Sequence, residues 1–215
     1  MPTAPIPLSP APPRPRGRPA TPPDAAEARQ RLIRAGLIFL TERGYGASAL
    51  EDILHSAAIT KGAFYHYFDS KADFADTLIS AYHDHFARRL DRRLLDPDLA
   101  PLDRLRAFTE DAESGMARHG FRRGCLIGNL GQEMGALPEA FRARLTAVLA
   151  DWQARTAACL TLARNDGTLS PRHDPTLLAE FFWTGWEGAV LRAKLDAGPA
   201  PLRRFRQQFF ALLAP

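Results

Sequence analysis

Thr60-Lys61-Gly62-Ala63-Phe64-Tyr65-His66-Tyr67-Phe68 is the stretch on which the reading of this chain turns. Taken as a helix, it places Phe64 and Phe68 four residues apart on one face, pointing inward with Ile53. Thr60, Lys61, Tyr65 and His66 are left toward solvent. Two large rings exposed beside a lysine are costly unless something covers them. A polyanion supplies that cover: Lys61 and the helix N-terminus suit phosphate, and Tyr65 and His66 suit backbone or base edges. Gly62 lets the helix end approach closely. Tyr67 is expected to pack against the following helix.

Outward from this stretch the pattern is helical throughout. Upstream, Ala28, Leu32, Ala35 and Phe39 recur at helical spacing after Asp24, a good N-cap, and Gly44 ends that helix. Ser48 is expected to cap a second helix, with Glu51 completing a capping box and Leu50, Ile53, Leu54 and Ala57 inward. Ala58-Ile59 makes the turn and Thr60 caps the third helix, so the last two helices form a helix-turn-helix. Downstream, Ser70 opens a long helix with Phe74, Leu78, Tyr82 and Phe86. Pro101 opens another, Cys125 precedes a short one, and Pro138 precedes a long one. The last two helices are expected near 175–196 and 200–213. No strand and no repeat is visible, and the fold class is all-α.

Residues 1–23 hold ten of the eighteen prolines, three arginines and no acid, which predicts a disordered or extended arm. Within it, Arg16-Gly17-Arg18 is narrow enough for a minor groove, where arginine is drawn by negative potential; the alternative is a solvated tail. Residues 1–71 carry nine Lys/Arg against six acids, a net +3 of the chain's +4. The charge is concentrated at the end expected to meet a polyanion. The domain reading is therefore an arm over 1–23, a helix-turn-helix domain over 24–71, and a ligand-binding and dimerisation domain over 72–215. The absence of a long apolar run and of a signal-like start predicts a cytoplasmic protein with no membrane partner. Two cysteines, Cys125 and Cys159, are too few for a disulfide framework and lack metal-ligand spacing, so both are expected as thiols, with no cofactor or metal.

Residues 32–78 resemble the N-terminal domain of TetR-family regulators. The resemblance is carried by Gly44-Tyr45, Ser48, Glu51-Asp52-Ile53, the run Thr60 to Phe68, and Ser70-Lys71. Ala58 departs from it, since the family most often has glycine in that turn. The resemblance implies a homodimer whose two recognition helices enter successive major grooves of a near-palindromic operator. By position, Ser48, Thr60, Lys61, Tyr65, His66 and Lys71 become DNA contacts, with Lys71 reaching a phosphate. It also implies dimerisation through the last two helices.

In the C-terminal two-thirds, Arg122-Arg123-Gly124-Cys125-Leu126-Ile127-Gly128-Asn129-Leu130 stands out. Two arginines before a cysteine at a helix N-terminus would stabilise a thiolate; the alternative is an inert buried thiol. The run is similar to the NemR/AcuR-like subgroup of electrophile- and acrylate-responsive repressors, which implies an inducer such as acrylate or another small unsaturated acid or carbonyl compound. Effector candidates are Cys125 and Asn129, Met116 and Phe121 just before them, and Phe182, Trp183 and Trp186 as aromatic walls with Glu187 as a polar group among them; an aromatic stripe is more often ordinary core. Cys159 reads as core. Leu202, Phe205, Phe209 and Leu212 make an apolar face on the last helix, with Arg203 and Arg206 opposite. A cysteine-dependent enzyme with His119 as base is the rival class, without a recognised catalytic signature. A ligand-insensitive architectural DNA-binding protein is a third.

Overall fold

Among residues 25–213, which the computed structural model describes, there are nine α-helices and no strand. The arm with Arg16 and Arg18, and Asp24 as the first cap, lie outside these residues. The helices are α1 Ala25–Arg43, α2 Leu50–Ala57, α3 Lys61–Phe64, α4 Lys71–Leu94, α5 Pro101–Ala117, α6 Leu126–Gln132, α7 Ala140–Asn165, α8 Pro175–Leu195 and α9 Ala200–Leu213.

Helices α1 to α3 close on one small core. Ala28, Leu32, Ala35 and Leu40 are buried along α1, while Phe39 stays half-buried beneath the Arg43 guanidinium, 4.7 Å from its ring centre. Gly44 follows at φ +83°, a left-handed position where a side chain would be strained. Ser48 departs from expectation. It is fully buried, its hydroxyl donates to the Gly44 carbonyl at 2.6 Å, and α2 begins one residue later with Ala49 at the cap. The short side chain satisfies the turn it sits in, not the helix it precedes.

Ala58 holds the left-handed conformation, φ +53°, at the end of α2. This costs an L-residue roughly 1–2 kcal/mol. The tight connection is kept because the N–H groups of Ala58 and Ile59 bond the carbonyls of His55 and Leu54. Thr60 then caps α3, its hydroxyl accepting from the Ala63 N–H at 3.2 Å.

Ser70 caps α4 by accepting from the Asp73 N–H. Phe74, Leu78 and Ile79 pack its first half under α1 to α3, and its second half enters a bundle with α5, α7 and α8. The bundle core is aromatic: Phe86 lies 4.3 Å centre to centre from Trp152, which lies 5.0 Å from Trp183. The Trp183 indole N–H donates to the Trp152 carbonyl and to the Thr156 hydroxyl, so its polar edge is satisfied in the interior. Ion pairs fix the outside of the bundle. Arg155 of α7 reaches Asp91 of α4, and Glu113 of α5 receives Arg203 and Arg206 of α9. Leu202 and Phe209 of α9 are buried against α8, and Phe205 lies in the space left by Gly185, where a Cβ would come within 2.3 Å of its ring. Most of the apolar face of α9 is thus used inside one chain. The exposed apolar stripe is instead Leu177, Phe181, Leu191 and Leu195 of α8, joined by Leu212.

Candidate DNA interface and effector cavity

The α3 segment presents what its spacing predicts. Phe64 and Phe68 are buried with Ile53, and both stack on Phe74 of α4. Thr60, Lys61, Gly62, Tyr65 and His66 are exposed. Tyr65 is 51% exposed yet held edge-on against the buried Phe64 ring at 5.3 Å, which fixes its direction. No atom stands within 4 Å of where a Gly62 side chain would begin, so a backbone or phosphate can approach there. Lys61 pairs with Glu51 at 3.1 Å in the open. Exposed pairs of this kind contribute little, so a phosphate can take the lysine.

Two residues expected on this face are occupied elsewhere. Ser48 lies inside the turn. Lys71 donates to the Tyr45 carbonyl at 2.8 Å and sits 4.2 Å from the centre of that ring, and its partial burial lowers its pKa. It braces the α1–α2 turn and is not a free ammonium reaching for phosphate.

A cavity of about 330 Å³ opens between α1, α4, α5, α8 and the Arg123–Cys125 segment. Of the predicted effector residues, Cys125, Met116 and Trp186 line it. Phe182 and Trp183 do not: both are fully buried in the α8 core. Asn129 and Phe121 do not line it either. Asn129 turns to α1, and Phe121 takes a left-handed turn, φ +56°, with its N–H bonded to the Met116 carbonyl. Glu187 of α8, grouped in sequence with the aromatic walls, lines it too, and so do residues that the sequence reading missed: Tyr82, His85, Phe86 and Arg89 of α4. Of these, Tyr82 and Phe86 are marked in sequence only as part of a helical stripe.

The surroundings of Cys125 favour the buried-thiol alternative over the thiolate. Arg123 turns away to Glu42 at 3.0 Å. The groups that act on the thiol are Glu187 and Tyr82, not His119. Burial, reinforced by the Glu187 carboxyl, pushes the thiol well above its ordinary range. Burial likewise raises the Glu187 carboxyl to about 7, against a smaller opposing effect of its bond with the thiol. Glu187 reaches this position because α6 carries Gly128, where a Cβ would lie 2.2 Å from a carboxyl oxygen. Cys125 is therefore a protonated thiol at rest. Cys159 is core, donating to the Pro101 carbonyl, and burial pushes it up to about 11.

The same segment grips the end of α1. A helix leaves its last carbonyls without partners in the helix. Here the Thr41 carbonyl accepts from the Gly124 N–H, from the Asn129 amide at 2.9 Å and from the Lys194 ammonium. The Leu40 carbonyl also accepts from Asn129, and the Glu42 carbonyl from Lys194. At the far end of α6, Glu133 accepts from the N–H groups of Tyr45 and Gly46, at 2.9 and 2.7 Å. Leu37, Ile38 and Thr41 of α1 meanwhile form part of the cavity wall. One helix thus carries part of the cavity wall, the contacts with α6 and Lys194, and the start of the helix-turn-helix unit.

Comparison with known proteins agrees with this architecture. Residues 32–78 match the bacterial regulatory proteins of the tetR family, and residues 101–209 match the tetracyclin repressor-like C-terminal domain. The chain is similar to the transcriptional regulator AcuR of Cereibacter sphaeroides, 60% identical over 194 residues covering 90% of this chain and 89% of that one. It is also similar to the HTH-type transcriptional repressor NemR of Escherichia coli, 27% identical over 176 residues covering 82% and 88%. Among solved structures it resembles regulatory protein TetR from Rhodobacter sphaeroides, with a TM-score of 0.84 at 60% identity over 85% of this chain and 96% of that one.

Proposed function

The chain belongs to the TetR family of bacterial regulatory proteins, in its AcuR- and NemR-like subgroup, and from that premise we propose that a small unsaturated carboxylic acid such as acrylate releases this transcriptional repressor from its operator. The observation that carries the reading is the cavity beside Cys125, whose wall is shared with α1. Its volume lies at the low end of the range for small-molecule pockets, roughly 300–1,000 Å³. It is lined by cationic and apolar groups together, which suits a small acid.

Thr60, Lys61, Gly62, Tyr65 and His66 are the operator-contacting set, with Lys61 on phosphate and Tyr65 and His66 on the groove. Two such units act together through a homodimer. Its contact is the stripe Leu177, Phe181, Leu191 and Leu195 of α8 with Leu212 of α9, whose large apolar side chains otherwise face water. Effector in the cavity favours an arrangement of the Arg123–Cys125 segment that loosens its grip on the end of α1. The recognition helices then lose the spacing of one DNA turn, about 34 Å. In this reading the Cys125 thiol contacts the effector and stays protonated. The region acts as a binding site, in which burial and the neighbouring Glu187 carboxyl keep the thiol in its protonated form.

The test is fluorescence anisotropy of the purified protein on DNA from just upstream of its own gene, with and without acrylate. Tight, salt-sensitive binding that acrylate abolishes is expected, and a Cys125→Ser variant is expected to retain part of the response. Binding that ignores acrylate would refute the effector and favour the architectural alternative.

A further inference from the structure

We propose that Arg89 selects the effector for its charge: its guanidinium is the receptor for a carboxylate, and the acid's hydrocarbon end lies toward Met116 and Trp186. The inference rests on reading this cavity as the effector site. Arg89 lies in the α4 wall, and its hydrogen bond goes to the backbone carbonyl of Asp111, not to a carboxylate. The Asp111 carboxylate is taken by Arg93, in two bonds of 2.7 and 3.0 Å. Arg89 has no ion pair among the described residues: the Asp111 carboxylate attracts it without direct contact, being bonded to Arg93, while Arg118 and Arg92 add like charge. A partly buried guanidinium in this setting is undersupplied with negative charge, and an anion entering the cavity relieves that.

The other basic groups on the wall are less suited. Arg123 is already paired with Glu42. Arg118, His85 and His119 are exposed, and burial with nearby arginines holds both histidines below the ordinary range, so they are neutral near pH 7. Glu187, beside the thiol, repels a carboxylate whenever it is ionised, so the acid's charged end belongs at Arg89. Gly115 of α5 makes the placement possible. A Cβ there would lie 3.2 Å from both terminal nitrogens of Arg89, so the planar group rests directly on the α5 backbone. Nη2 donates to the Asp111 carbonyl, which leaves the other edge of the guanidinium to hold a carboxylate in two parallel bonds, and an amide of the same shape cannot reproduce them.

The experiment is calorimetric titration of the full chain with propionate and propionamide, an unreactive pair of matched shape, and with acrylate; DNA release is read separately by anisotropy. Wild type is expected to bind both acids at least about tenfold more tightly than the amide, the size of one charge-assisted hydrogen bond. Arg89→Met is expected to lose that preference and to bind the acids at least about tenfold more weakly. Arg89→Lys is expected to keep the preference at reduced affinity, and circular dichroism checks that both variants fold. Equal binding of propionate and propionamide, wild-type acid binding by a folded Arg89→Met, or no acid binding by wild type would each overturn the proposal. Acid binding that depends on Arg89 but leaves DNA bound would support it while refuting the effector reading. Release by acrylate that is indifferent to Arg89 would do the reverse.

Discussion

Replacing Glu187 with glutamine tests the cavity's internal electrostatics without adding or removing volume. Burial raises this carboxyl from 4.5 to about 7. In the unfolded chain it ionises near 4.5, so between that pH and about 7 the unfolded state holds fewer protons than the folded one. Stability from this group is therefore fully present below pH 4.5 and is lost as pH rises through about 7. Each pH unit across that interval is worth 1.36 kcal/mol, which makes the total about 3 kcal/mol. Glutamine keeps an oxygen for the Cys125 thiol and has no proton to lose. Glu187→Gln should thus match wild type near pH 4.5 and exceed it by about 3 kcal/mol above pH 7.5. Urea unfolding at fixed protein concentration, repeated from pH 4.5 to 8.5, measures the difference directly. A wild-type-minus-variant difference that stays flat across this range would mean that Glu187 ionises normally, and the account of burial as the cause of its raised pKa would be wrong.

Three further outcomes are expected. Lys61→Ala should weaken operator binding across sequences and reduce the slope of log affinity against log salt by about 0.9 per protomer, and unchanged affinity over several salt concentrations would contradict its phosphate role. Acrylate should bind more tightly at pH 6 than at pH 8, because protonating Glu187, raised to about 7, removes a like charge and the depressed His85 and His119 begin to gain one; calorimetry showing the opposite trend would exclude a charged acid in this cavity. Asn129→Leu combined with Lys194→Met removes bonds that the effector otherwise has to loosen, so the acrylate needed for DNA release should fall, and a double variant with unaltered release would remove the α1 contacts from the signal path.

The DNA-facing half was legible in sequence because its determinants are local. Phe64 and Phe68 need only their four-residue spacing to fall inward, and Thr60 needs only its own helix to act as a cap. Ser48 misled because a buried serine and a capping serine look alike in sequence. What separates them is whether the hydroxyl turns back to the Gly44 carbonyl. Lys71 misled for a similar reason, since the Tyr45 carbonyl and ring that hold it come from a turn far upstream. The cavity half was legible only at Cys125, Met116, Trp186 and Glu187. Arg89 sits among charged residues on a long helix, and nothing local marks which of them faces a cavity made jointly with α1, α5 and α8. Sequence left two readings of Cys125 open, a thiolate or an inert buried thiol, because Arg122 and Arg123 are its neighbours in sequence, whereas Glu187 and Tyr82 are its neighbours in space.

In the proposed switch, coupling of the two halves rests on the chemistry of a helix end. The last carbonyls of α1 must be satisfied, and the groups that satisfy them come from the Gly124–Asn129 run and from Lys194 instead of from solvent. Each such bond contributes about 0.5–1.5 kcal/mol net. An effector that costs the assembly two of them shifts the balance by about 1–3 kcal/mol, which is the usual scale of allosteric coupling. No long pathway of side chains is needed, because Leu37, Ile38 and Thr41 already touch the cavity and Thr41 already accepts three of the bonds. Since α1 packs on both α2 and α4, any change at its last turn alters the frame that carries α3. The switch then requires only that the occupied cavity and the operator prefer different positions of one helix end.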